Sequence, residues 1–77
     1  MQKQPELVSL GKRIRRMREA RGHSQEGFAL TAGLDRTYYA GIERGERNVA
    51  ALNLIKIARA LNASVGDFFD DQAGSNG

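Results

Sequence analysis

The sequence predicts an all-α domain, and three observations carry that prediction. Apolar side chains recur every three or four residues along most of the chain. No segment sustains the period-2 alternation of β-branched residues that marks a strand, and the single proline stands at position 5, ahead of the periodic stretches. Gly22, Gly33 and Gly45 each follow such a stretch, where a left-handed residue ends a helix.

Five helices fit this pattern. The first covers about residues 6–21, with Leu7, Leu10, Ile14 and Met17 at helical spacing and Lys12, Arg15, Arg16 and Glu19 elsewhere on the wheel. Ser24 caps a second helix from Gln25 to Ala32, whose inward residues are Phe28, Ala29 and Ala32; Glu26 suits its positive end. Gly27 lies inside that helix at a cost of roughly 1 kcal/mol, and it denies Ser24 a reciprocal capping partner. After a turn at Gly33 and Leu34, Asp35 caps a third helix from Arg36 to about Arg44. Tyr39 and Ile42 share one side of it, while Arg36, Thr37, Ala40, Gly41 and Arg44 span the opposite arc. A fourth helix, about 51–61, gathers Ala51, Leu54, Ile55, Ala58 and Leu61, with Leu52 and Ile57 widening its apolar surface. Ser64 and Asp67 resemble a capping box opening a short fifth helix with Val65, Phe68 and Phe69. The expected organisation is therefore a flexible N-terminus over 1–5, one domain over 6–69 and a disordered polar tail over 70–77.

Size and composition narrow the function. Seventy-seven residues, 40% hydrophobic and 27% charged, make one domain with a thin core, so pairing of two subunits is expected from size alone. With no cysteine and one histidine, no disulfide, thiol nucleophile or zinc site is expected, and no metal or cofactor. His23 reads as an exposed loop residue. The scattered carboxylates form no acid–base constellation, so no catalytic residue and no enzyme is expected. No apolar run approaches the ~18 residues of a membrane span, and the N-terminus lacks a secretory stretch, which predicts a cytoplasmic protein. The net charge is only +3, but it is segregated: between Gly11 and Arg47 nine basic side chains face five acidic ones, whereas residues 48–77 are slightly acidic. One part of the molecule faces anions.

The segment from Gln25 to Arg44, QEGFALTAGLDRTYYAGIER, sets two helices at a steep angle through a short turn. Ala29 has to be small where they cross, and Phe28, Leu34, Tyr39 and Ile42 supply the contacts that fix the angle. This segment resembles the helix-turn-helix domain of the phage repressor and Cro (XRE-like) family. The resemblance spans roughly residues 10–69, and LDRTYYAGIERGERN looks especially like the controller proteins of restriction–modification systems. It implies a third helix seated in the major groove of duplex DNA. Matched position by position, the base readers are Arg36 and Thr37, with Tyr38, Ala40 and Gly41 beside them. Arg36 leads, because a guanidinium fork pairs with O6 and N7 of guanine. Tyr38 has two readings, a phosphate contact or partial packing. Ser24 and Gln25, at the start of helix 2, and Arg44, Arg47 and Asn48, after helix 3, match phosphate-contacting positions. The cluster Lys12, Arg13, Arg15 and Arg16 surrounds its helix and reads as a source of general field.

Arg18 falls four residues after Ile14 and Glu43 four after Tyr39, both on inward sides. These positions resemble the family's buried Arg–Glu pair. Tyr39 stands where relatives usually carry a β-branched aliphatic and is expected in the core, with its hydroxyl at the edge. Leu61, Val65, Phe68 and Phe69 either complete the core or, as the resemblance implies, help pair two subunits. The expected function is a homodimeric, sequence-specific transcriptional regulator on a pseudo-palindromic operator, acting by obstruction or by contact with RNA polymerase. Two rivals remain at this stage: an antitoxin-like protein-interaction module with the same fold, and a non-specific nucleic-acid binder.

Overall fold

The computed structural model describes residues 4–69, and the expected disordered tail at 70–77 and the first three residues of the expected flexible N-terminus lie outside them. Among the described residues there are four α-helices, no strand and one short 3-10 helix: α1 (Pro5–Ala20), α2 (Gln25–Ala32), α3 (Arg36–Glu43), α4 (Ala51–Ala60) and the 3-10 turn Val65–Phe69. The all-α expectation holds; the expected fifth α-helix is instead a 3-10 turn. The segment is five residues long and opens on an i→i+3 bond, the Asp67 N–H donating to the Ser64 carbonyl at 3.0 Å, the tighter pattern that short pieces adopt. Asp67 still anchors the turn, its Oδ2 accepting the Ser64 N–H at 3.0 Å.

Local chemistry sets the boundaries. Pro5 occupies the first position of α1, where its missing N–H costs nothing. Ser24 Oγ accepts the Gly27 N–H at 3.0 Å and Asp35 Oδ2 accepts the Tyr38 N–H at 2.9 Å, capping α2 and α3. Each α-helix closes on a left-handed residue, Gly22, Gly33, Gly45 or Asn62. In each case the next N–H bonds back across the last turn, as Leu34 does to the Ala29 carbonyl at 2.9 Å.

Helix α1 packs on α3 and on the 3-10 turn, and α2 packs on α3 and α4. Ile14, Phe28, Tyr39, Ile42, Ile57 and Leu61 are fully buried where these elements meet. The α1–α3 approach depends on Gly11, for which a Cβ would lie 2.4 Å from the Ile42 carbonyl oxygen. No other residue fits there without moving one helix. Gly45 is similarly confined: its φ is 76° and a Cβ would sit 2.7 Å from Val8 Cα. No helix is long and apolar enough to cross a membrane among the described residues.

Candidate nucleic-acid interface

Three residues, Gly33 to Asp35, join α2 to α3. Phe28 and Tyr39 meet behind this corner with ring centroids 5.3 Å apart, and Ala29 is buried where the helices cross. The corner is held from within by a polar cluster. Arg18 from α1 donates to Glu43 from α3 through Nε at 2.7 Å and Nη2 at 3.1 Å. A third guanidinium nitrogen, Nη1, donates to the His23 carbonyl at 2.7 Å, fixing the loop before α2. Gln25 donates to Glu43 Oε1 at 3.0 Å, and the Tyr39 hydroxyl donates to Glu43 Oε2. One carboxylate thereby ties α1, α2 and α3 together.

Arg18 and Glu43 are each only 7% exposed, so the pair stands on its hydrogen bonds. Burial pushes the Glu43 carboxyl up, but donation from Arg18, Tyr39 and Gln25 outweighs it and holds the group below its ordinary pKa. The hydrogen bond to Glu43 raises Arg18 against the opposing effect of burial. Burial, then the bond to Glu43, raises the Tyr39 phenol well above its ordinary value. The expected pair is in place, but Tyr39 departs from expectation: its hydroxyl is inside the cluster, not at an edge, because the ring reaches from α3 to the carboxylate one turn later. His23 is half-buried instead of exposed, with its ring 5.4 Å from Phe28.

The outward side of α3 is different. Arg36 and Thr37 are exposed and Ala40 is partly so. Arg36 keeps a loose ion pair with Glu26 at 3.7 Å, and both partners are well solvated. Two expected base readers are not open. Tyr38 is half-buried, its hydroxyl accepting from Asn53 Nδ2 at 3.1 Å and lying 3.5 Å from the Asn48 carbonyl, so packing wins over a free phosphate contact. Gly41 is buried because the side chain of Arg47 lies over it.

The residues matched to phosphate positions divide as well. The Ser24 hydroxyl is occupied as a cap, although the N-terminal amides of α2 stay at the surface. Gln25 braces the corner. Arg44 pairs with Glu46 at 2.9 Å at the surface, Asn48 is exposed, and Arg47 turns back along α3. Within the helix-1 cluster, Arg15 pairs with Glu19 and Arg13 donates to the Asp67 carbonyl at 3.3 Å, so part of that charge fastens the 3-10 turn.

Of the residues matched to subunit pairing, Leu61 and Phe68 are interior, at 0% and 4% exposed, and belong to the core of the monomer. A partner cannot reach them. Val65 is half-buried and Phe69 is exposed; Leu52 and Ile55, on one side of α4, are the further large apolar groups left open there. Sequence reading passed over Gly11. Its signal was a glycine inside α1 in register with Ile14 and Arg18 on the buried side, a position that only close helix approach explains.

A capped helix pair joined by a three-residue corner, with a solvated rim on the second helix, defines the helix-turn-helix class. The chain belongs to the helix-turn-helix family of the XRE-like type, the helix-turn-helix family model matching residues 14–68. Its relatives include restriction–modification control proteins. It is 40% identical over 65 residues to control protein C.MunI of Mycoplasma sp, covering 83% of this chain and 88% of that protein. It is 46% identical over 56 residues to control protein C.SmaI of Serratia marcescens, covering 73% and 67%. The crystal structure of the restriction–modification controller protein C.AhdI from Aeromonas hydrophila superposes with a TM-score of 0.83 at 45% identity, over 84% of this chain and 98% of that one. The controller C.Esp1396I, solved as a tetramer in complex with its natural 35 base-pair operator, superposes at a TM-score of 0.79 with 36% identity, over 87% of this chain and 88% of that one.

Proposed function

We propose that this protein is a restriction–modification controller, a transcriptional regulator that binds a pseudo-palindromic operator as a homodimer in the cytoplasm. The observation that carries the reading is the contrast across α3: the inner side is immobilised by the Arg18–Glu43 cluster, and the outer side presents Arg36 and Thr37 to solvent. Rigid placement matters because a bidentate base contact tolerates little displacement. Arg36 reads a guanine edge and Thr37 a neighbouring base. Arg44, Asn48 and the amides opening α2 contact phosphates, while Gln25 orients the corner. Two copies meet through Leu52, Ile55 and Phe69, placing their recognition helices in successive major grooves about 34–36 Å apart. Regulation follows from occupancy, by obstruction of RNA polymerase or by contact with it.

Selection of bound sequences from random duplexes at fixed, near-physiological salt tests this. An inverted repeat with half-sites one helical turn apart is expected. Recovery of no repeat, with operator-free DNA bound equally well, sinks the proposal and leaves the non-specific binder.

A further inference from the structure

Position 41 lies on the outward arc of α3, between Thr37 and Arg44 one turn to either side, yet the residue there is buried. The cover is Arg47. A Cβ at Gly41 would lie 2.8 Å from Arg47 Cγ, 3.2 Å from its Nε and 3.6 Å from its Cδ. The arginine stem therefore occupies the notch that a missing side chain leaves. Its guanidinium carbon stands 6.0 Å from the centre of the Tyr38 ring, within range of the ring's negative face. Tyr38 is itself anchored by Asn53 at 3.1 Å, so the shelf beneath the cation is fixed.

We infer that Gly41 is a specificity-determining position that acts through Arg47, seating a loop arginine against the recognition helix as a second base reader. The inference rests on the DNA-binding reading above. An arginine on a loop ordinarily samples many rotamers and meets whichever phosphate is near. Here the stem is held by the notch and the head by the Tyr38 ring, which restricts the search before DNA arrives. The stem crosses α3 at position 41, five residues beyond Arg36 and about 7 Å along the helix axis, so Arg47 approaches the groove from a different point than Arg36 does. Arg47 thus leaves the phosphate-contacting set and joins the readers, and Gly41 is a positioning residue that touches no base itself. The obstacle to a side chain at 41 is a flexible stem and not backbone. Alanine there displaces Arg47 and spares the helix, for which it is the better former.

A double-mutant cycle on the full chain tests the coupling. Wild type, Gly41→Ala, Arg47→Ala and the double variant are measured against the selected operator, and against duplexes altered one base pair at a time, with thermal unfolding alongside. Each single variant is expected to weaken operator binding roughly tenfold and to flatten preference at the same base pair. The double variant is expected to bind no more weakly than either single one. Additive losses of roughly a hundredfold overturn the inference, as does Gly41→Ala binding like wild type. So does a loss uniform over all duplexes with a shallower salt dependence, the mark of a phosphate contact. Should Gly41→Ala lower Tm, recovery in the double variant supports the seat, and an equally low Tm in the double variant overturns it. Absence of sequence preference in wild type is a separate result, which removes the proposed function and this inference with it.

Discussion

The two sides of α3 obey opposite rules. Inward, Tyr39, Ile42 and Glu43 are buried, and the Glu43 carboxylate accepts from Arg18, Gln25 and Tyr39. Outward, Arg36 and Thr37 are solvated, and the ion pair from Arg36 to Glu26 is long and exposed. The same eight residues therefore divide into a stabilising side and the side proposed for recognition, without sharing side chains. That separation makes them independently breakable. Damage inside should lower Tm; damage outside should change affinity and leave Tm alone.

The largest effect belongs to Glu43→Ala, which leaves the buried guanidinium only the solvated Glu19 carboxylate 3.9 Å away. A loss of about 3–5 kcal/mol in unfolding free energy is expected from urea denaturation. A loss below about 1 kcal/mol would mean that water reaches Arg18 and that the inner side is not the lock described. Next comes Gly11→Ala, whose new methyl group would press on the backbone carbonyls of Ile42 and Glu43. It should cost about 1–3 kcal/mol despite the gain in helix propensity, and unchanged stability would show that α1 can shift freely on α3.

Arg36→Ala should break the comparison from the other side. Operator affinity is expected to fall by about 1–3 kcal/mol, with preference relaxed at one base pair and Tm within a degree or so of wild type. A fall in Tm comparable to that of Glu43→Ala would merge the two sides that the structure keeps apart.

Titration is the gentlest probe. Glu43 has a depressed folded pKa, so its contribution is present above the unfolded carboxylate value, near 4.3, and is lost as pH falls through the folded one. Tyr39 has a raised one, so its contribution is complete below about pH 10 and is lost at higher pH. Stability should form a plateau between these limits. Glu43→Gln should remove the acid limb specific to this pair, and an unaltered acid limb would assign that limb to other carboxylates.

Much of this was legible beforehand. The caps at Ser24 and Asp35 and the left-handed stops fix helix ends by local hydrogen bonding, so α2 begins and ends at its expected residues. Arg18 and Glu43 were visible as charged residues on apolar sides, and the family resemblance is what matched them to a buried pair. Other positions were not legible. Leu61 and Phe68 are apolar whether they face the core or a partner, and periodicity does not distinguish the two. The Tyr39 hydroxyl and the Arg47 stem reach their partners by side-chain geometry that residue spacing does not encode. Gly41 reads as an opening until the arginine that fills it is placed.

Sequence alone determined the four α-helices, their ends to within a residue, the segregation of charge and the corner between α2 and α3, because each depends on neighbours within a few residues. The tertiary structure decided which apolar groups the monomer consumes, which glycine lets α1 approach α3, and where Arg47 rests. Those outcomes turn on distances between residues far apart in the chain, where a few tenths of an ångström separate contact from collision.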